Sequence, residues 1–324
     1  MSTMSCQTLE REQIDFFHRE GYLVVEDVLD DASLQPAIAD ITDMIDRLSA
    51  ELIASGELSR DYAEVDFEHR LALINRETDK VAKAIWNGAM HSPGIFRILT
   101  NPRLLAIARS FCGEEIVASS VYRLRPKVPH YDLGMVPWHQ DSGYTEPACD
   151  KAFMLTVWVA LVDATPERGC MWALPGVHHD TNLLKHVSRR TKNYLEIPDS
   201  ELPQGVKPVC LEVKKGGVVL LHNRTPHVSY ANRSDVVRWS MDLRYQSASL
   251  PTNARFTRLP HEMDPIKNLG IEGEMPPACY PPEADFLVAS EARPHEVIST
   301  PEAFASLRQS HMPGPAPRRW AMVD

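Results

Sequence analysis

Residues 236–245, Val236-Val-Arg-Trp-Ser-Met-Asp-Leu-Arg-Tyr245, alternate with a period of two. Val237, Trp239, Met241, Leu243 and Tyr245 fall on one face; Arg238, Ser240, Asp242 and Arg244 fall on the other. That period predicts a strand. Its polar face reads either as a solvated surface or as the wall of a site. Leu34, Ile38, Ile41, Ile45, Leu48 and Leu52 recur at helical spacing instead. They predict an amphipathic helix of about five turns that ends near Gly56 and packs on a sheet. Phe153–Val162 is apolar on both faces, as expected of a strand covered on two sides.

Other segments follow from the same patterns. Residues 8–20 predict a short helix with Thr8 as N-cap and Gly21 as its stop, followed by a strand over 22–26. Residues 57–92 are mixed and charged and are left unassigned; 104–111 read as a helix closed by Gly113. From residue 115 the pattern becomes short strands: 116–124, 153–162, 170–174, 209–213, 218–222, 227–231 and 236–246. Such a series predicts a mainly β chain with flanking α-helices around a double-stranded β-helix, the jelly-roll or cupin-like barrel. The chain then reads as one domain, with a mostly helical part (1–114), a jelly-roll core (115–246) and an arm (247–324). The arm holds 12 of the 25 prolines, including Pro276-Pro-Ala-Cys-Tyr-Pro-Pro282, and is too poor in apolar positions for its own core. It is expected to wrap on the barrel or on the second subunit of a homodimer. The polar stretch 179–207 interrupts the strands and reads as a lid at a barrel mouth or as a solvated excursion.

Composition narrows the function classes. The 324 residues carry 34 Lys and Arg against 44 Asp and Glu, a net charge of −10. No basic face is expected, which argues against a nucleic-acid partner. No apolar run approaches the ~20 residues needed to span a bilayer, so no membrane partner is expected. The N-terminal residues lack a signal-peptide pattern, and the last residues do not match a peroxisomal address. The six cysteines contain no Cys-x-x-Cys pair, which suits buried thiols in a reducing cytoplasm rather than a zinc ribbon.

The candidate chemistry centres on Val136-Pro-Trp-His-Gln-Asp-Ser-Gly143. On an extended strand His139 and Asp141 point to one face. Two imidazoles and one carboxylate on one face of an octahedron suit non-haem Fe(II), with positions left open. The third ligand is expected from Val219-Leu-Leu-His-Asn-Arg-Thr-Pro-His227, where His227 competes with His222. His-x-Asp occurs twice more, at His130-Tyr-Asp132 and His178-His-Asp180, both in turn-like contexts. Arg238 follows His227 by 11 residues, and with Ser240 it offers a fork and a hydroxyl for a carboxylate.

With those residues in place, the chain resembles the phytanoyl-CoA dioxygenase family of Fe(II)/2-oxoglutarate oxygenases. The resemblance rests on Trp138-His-Gln-Asp141, Thr156-Val-Trp-Val-Ala160, Arg168-Gly-Cys-Met-Trp-Ala-Leu-Pro-Gly-Val-His178, and His227 with Arg238. The opening Glu12-Gln-Ile-Asp-Phe-Phe-His-Arg-Glu-Gly-Tyr22 is also similar, so the likeness spans roughly residues 8–246. It implies Fe(II) on His139, Asp141 and His227, and 2-oxoglutarate and O2 as cosubstrates. It further implies Arg238 and Ser240 on the distal carboxylate, and Trp158 lining the cosubstrate pocket. Lys83 is the candidate for a lysine the family uses to hold the cosubstrate. Gln140 is a further candidate if a loop turns it inward; alternation points it away. The expected outcome is hydroxylation, or another oxidation, of a small organic molecule, with succinate and CO2 released. The carboxylate at Asp141 argues against halogenation, since related halogenases lack it. Arg123, Arg125 and Lys127 precede the metal motif and would either receive an anionic substrate or face solvent. Two other readings remain open: a cupin-like isomerase or hydrolase on another metal, and a non-catalytic binding protein on the same barrel.

Overall fold

A computed structural model describes residues 8–87, 90–119, 122–145, 149–180, 182–189, 194–250, 252, 285–310 and 320–323. The Pro276–Pro282 stretch lies outside them. Seven helices of more than one turn are described: α1 (Arg11–Glu20), α2 (Asp31–Ala54), α3 (Phe67–Glu77), α4 (Lys80–Asn87), α5 (Pro93–Leu99), α6 (Pro102–Cys112) and α7 (Pro301–Ser310). The strands are β1 (Tyr22–Val25), β2 (Ile116–Ala118), β3 (Arg123–Lys127), β4 (Val136–His139), β5 (Leu155–Ala160), β6 (Met171–Ala173), β7 (Val187–Arg189), β8 (Leu195–Glu196), β9 (Val209–Leu211), β10 (Val218–His222), β11 (His227–Ser229), β12 (Arg238–Ser247), β13 (Phe286–Ala289) and β14 (Met322–Val323).

Local chemistry explains the helix ends. Asp30 caps α2 by accepting the Ser33 N–H at 2.9 Å. The cap of α1 is Glu10, in a reciprocal box with Gln13, rather than Thr8. Gly21 ends α1 with φ of 79°, its N–H returning to the Phe17 carbonyl. The unassigned stretch 57–92 supplies α3 and α4, which the sequence pattern did not separate from their charged surroundings. The single strand expected over 116–124 is instead β2 and β3, which pair with different parts of β12.

The strands form two facing sheets and a small third one. The major sheet runs β1-β10-β5-β12-β2-β13, with β3 also on β12; the minor sheet runs β4-β11-β6-β9. All of these pairs are antiparallel. This is the jelly-roll core with flanking helices that the strand series predicts.

Which face of the major sheet meets which layer decides the function. Leu155, Val157 and Val159 of β5, with Trp239, Met241, Leu243 and Tyr245 of β12, pack into one core with helical residues such as Ile41, Ile45, Leu71, Ile74, Leu104 and Ile107. Trp239 is fully buried and stacks on Phe67, with centroids 5.0 Å apart; burying a side chain of that kind contributes about 1.5–3 kcal/mol. The alternate residues of β5, Trp158 and Ala160, join a second core with Met171, Ala173, Leu211, Val219 and Leu221 between the sheets. The apolar face of β12 therefore meets helices. Its polar face points into the barrel, not to solvent.

The 179–207 stretch forms β7 and β8, and β14 adds to β7 in parallel. This small sheet sits over β4: the Ile197 N–H donates to the Trp138 carbonyl at 2.7 Å, and Trp320 Nε1 donates to the Gly143 carbonyl at 2.7 Å. The C-terminal region, which shows little periodicity in sequence, supplies β13 to the major sheet and buries Phe304 of α7 in the helical core.

Candidate metal centre

His139, Asp141 and His227 bring one ligand atom each to within 4.8 Å of one another, and all three are buried. They are the one cluster of this kind among the described residues. The cross-strand register produces it: β11 pairs β4 with His227 directly opposite His139, and their rings lie 4.1 Å apart. Asp141 is not on the strand, as alternation expects. β4 ends at His139, and Asp141 opens a 3-10 turn, Asp141–Tyr144. The turn still carries its carboxylate back to His139, with Nε2 and Oδ1 3.9 Å apart.

Both imidazoles are set for metal binding in the same way. His139 Nδ1 lies 2.8 Å from the Pro137 carbonyl, and His227 Nδ1 lies 3.0 Å from the Thr225 carbonyl. A carbonyl only accepts, so each Nδ1 carries a proton and Nε2 is the nitrogen left to serve as a metal ligand. Burial, and then the neighbouring His227, hold His139 well below the usual imidazole range, so it is neutral near pH 7 as a ligand must be. Asp141 is 2% exposed. Burial alone would raise its pKa, but the neighbouring Arg244 guanidinium outweighs it and holds the carboxyl well below the ordinary range.

The centre opens on a pocket lined by Trp86, Arg125, Tyr144, Thr156, Trp158, Tyr194, Arg238, Asp242 and Arg244. The β12 polar face thus forms one wall. Arg238 is buried; it donates to Ser240 Oγ, and less closely to Ser229 Oγ at 3.3 Å and the Gly169 carbonyl at 3.4 Å. Its guanidinium lies 4.9 Å from the Trp158 ring centroid. Its Nε is buried with no hydrogen-bond partner, and among the described residues it forms no ion pair. Burial pushes its pKa down to about 10. Lys127 sits behind it, its ammonium donating to Ser229 Oγ at 2.6 Å and to the Tyr230 carbonyl. Burial, and then Arg238, lower the Lys127 pKa well below its usual value. A buried cation with only neutral partners is unfavourable on its own. This end of the pocket is built to receive an anion.

Several expected positions stand elsewhere. Lys83 on α4 is half-exposed and pairs with Asp79 at 2.7 Å; it lies outside the pocket, to which the same helix contributes Trp86. A helical lysine with an acid four residues before it is drawn to solvent and to that partner. Gln140 points away from the metal cluster: its Nε2 donates to the Arg224 carbonyl at 2.7 Å, and its Oε1 accepts the Leu184 N–H at 2.9 Å. It ties the 179–207 stretch down and has no place in the pocket lining. His222 is outside the cluster, packed on Phe153 and His178 at 5.0 Å each. His130 and His178 are outside it too. Arg125 does line the pocket, lying 4.6 Å from the Trp86 centroid and pairing with Asp242 at 3.1 Å. Sequence reasoning assigned no role to Arg244, Asp242, Trp86 or Tyr194, whereas Thr156 shares the face of Trp158 that the family resemblance places along the cosubstrate pocket, and it lines that pocket. The available signal for the β12 residues was that they share a face with Arg238.

The chain spans about half the length (55%) of the mouse protein phytanoyl-CoA dioxygenase domain-containing protein 1, to which it is 34% identical over 174 residues, 49% of this chain. Among solved structures, the non-heme monooxygenase ThoJ in its apo form superposes with a TM-score of 0.55 at 17% identity, covering 92% of this chain and all of that one. The epimerase SnoN, solved with Fe3+, alpha ketoglutarate and nogalamycin RO, gives 0.50 at 21% identity, covering 78% and 90%. The model of the phytanoyl-CoA dioxygenase family matches residues 17–240, and the chain belongs to that family.

Proposed function

We propose that this protein is a non-haem Fe(II)/2-oxoglutarate-dependent oxygenase that hydroxylates, or otherwise oxidises, a small organic substrate. The observation that carries the reading is one pocket holding both a buried His139–Asp141–His227 cluster and a buried Arg238 whose Nε has no partner. The donor set fits iron: two imidazoles and a carboxylate, with room for further ligands on the pocket side. The carboxylate of 2-oxoglutarate fits Arg238, which presents a planar fork backed by Ser240 and stacked on Trp158.

Each residue then has a defined task. His139, Asp141 and His227 hold the metal at the pocket floor. Arg238 and Ser240 bind the distal carboxylate and so fix the direction from which 2-oxoglutarate reaches the metal. Trp158 closes one side of that arm against water. Tyr144, Tyr194 and Trp86 line the same pocket and would orient a substrate C–H. Bound iron supplies the redox chemistry by which O2 and 2-oxoglutarate are consumed and succinate and CO2 leave. A cupin-like enzyme on another metal, or a binding protein without chemistry, has no use for a buried Arg238 beside the cluster.

The test is an anaerobic titration of metal-free protein with Fe(II) and then 2-oxoglutarate, read by the visible charge-transfer band of the chelate. The band is expected in the wild type, lost in His227→Ala, retained in His222→Ala and weakened in Arg238→Ala. No band in folded, iron-loaded wild type refutes the 2-oxoglutarate reading. A band that survives His227→Ala but not His222→Ala refutes the ligand assignment.

A further inference from the structure

The Asp141 carboxylate is gripped at both oxygens by residues outside the metal cluster. Arg244 Nη2 donates to Oδ1 at 2.8 Å, and the Thr156 hydroxyl donates to Oδ2. The two donors are themselves a cross-strand pair, Arg244 of β12 directly opposite Thr156 of β5. Both flank the pocket on the sheet opposite β4 and β11.

We propose that Arg244 and Thr156 are positioning residues that fix the direction of the Asp141 carboxylate before a metal arrives. The proposal rests on the metal centre argued above and adds two residues to it.

Backbone geometry gives the reason. His139 and His227 are fixed by strand pairing, each ring further tethered through Nδ1 to a carbonyl two residues earlier. Asp141 sits just past the end of β4, at the start of a 3-10 turn, where no ladder holds it. Its side-chain direction must come from its partners, and both come from the rigid major sheet. The guanidinium also balances a buried charge that would otherwise stand alone in the metal-free protein. The hydroxyl adds direction without charge. Each carboxylate oxygen keeps a second lone pair for a metal after accepting one hydrogen bond.

Two effects of removing Arg244 oppose each other. Losing a nearby cation favours a dication by Coulomb attraction. Losing the clamp frees the carboxylate to turn, and partners of this kind typically contribute about 10–100-fold in metal affinity. If positioning dominates, affinity falls; if Arg244 is only a counter-charge, affinity rises or stays.

The experiment is anaerobic calorimetric titration of the full chain with Co(II), alongside the d–d absorption bands of the bound ion, which report ligand geometry without turnover. The variants are Arg244→Met, Arg244→Lys, Thr156→Val and Thr156→Ser, with near-UV circular dichroism to confirm folding. Arg244→Met is expected to weaken Co(II) binding at least tenfold and shift the bands, and Arg244→Lys to recover part of the loss. Thr156→Val, nearly the same size and without any charge change, is expected to weaken binding about three- to tenfold, with Thr156→Ser close to wild type. Should Arg244→Met fail to fold, Arg244→Lys and the Thr156 pair carry the test. The proposal is overturned if folded Thr156→Val and Arg244 variants bind Co(II) as tightly as wild type, or more tightly, with unchanged bands. A wild type that does not bind Co(II) fails the metal-centre reading itself, a different outcome.

Discussion

Replacing Arg238 by Met should cost 2-oxoglutarate affinity while leaving the stability of the ligand-free protein nearly unchanged. Arg238 is 2% exposed and has Ser240, Ser229 and the Gly169 carbonyl as partners, all neutral. Removing one member of a buried, hydrogen-bonded charge pair costs about 2–5 kcal/mol of binding. At about 1.4 kcal/mol per tenfold, a middle value of roughly 3 kcal/mol is on the order of a hundredfold in Kd. Without ligand two terms oppose each other. A pKa lowered from 12.5 to about 10 corresponds to about 3 kcal/mol of unfavourable charge burial at about 1.4 kcal/mol per unit. The three hydrogen bonds lost return about 1 kcal/mol each. Methionine fills similar space, so the two terms nearly cancel and the metal-free variant is expected to lie within about 1 kcal/mol of wild type. Kd is measured by anaerobic titration of Fe(II)-loaded protein with 2-oxoglutarate, and stability by urea unfolding without ligand. An Arg238→Met protein that binds 2-oxoglutarate within threefold of wild type refutes Arg238 as the anchor. One that loses several kcal/mol of stability refutes the view that its charge is unbalanced without ligand.

Three further outcomes are expected. Lys83→Ala should leave 2-oxoglutarate affinity unchanged within twofold, because its partner is Asp79 at the surface; a tenfold loss in the same titration would bring α4 back to the cosubstrate. His222 is pushed down to about 2 by burial and then by Arg224, so it stays neutral in the folded chain while an unfolded histidine protonates below about 6.5. Its contribution is complete above about pH 6.5 and is lost as pH falls toward the folded value, by about 1.4 kcal/mol per unit; urea unfolding at pH 7 and 5.5 should show a smaller drop in His222→Gln than in wild type, and equal drops would contradict the shift. Gly21→Ala should destabilise the chain by about 1–3 kcal/mol, since φ is +79° and a Cβ would lie 2.4 Å from both His178 Nδ1 and Thr225 Oγ1; an unchanged unfolding midpoint would contradict that packing.

Much of this chain is legible in sequence because short-range periodicity is a local property. The alternation at 236–245, the helical spacing of Leu34 to Leu52 and the doubly apolar 153–162 each state which residues share a face, and each became the element expected. His139 and His227 were legible for the same reason: motif spacing set them on strands whose pairing brings them together, while Arg238 lines the same pocket from the facing sheet. Periodicity cannot say what covers a face. Only the packing of helices on one side of the major sheet and the minor sheet on the other made the polar face of β12 an interior wall. That same packing turned Asp242 and Arg244 from surface residues into pocket residues. It buried Lys127 behind Arg238 and sent Lys83 to solvent, although both are lysines near candidate motifs. The grip of Arg244 and Thr156 on Asp141 joins residues 103 and 15 positions apart. No local pattern encodes contacts at such separations, because the free energy that forms them belongs to the closed barrel as a whole.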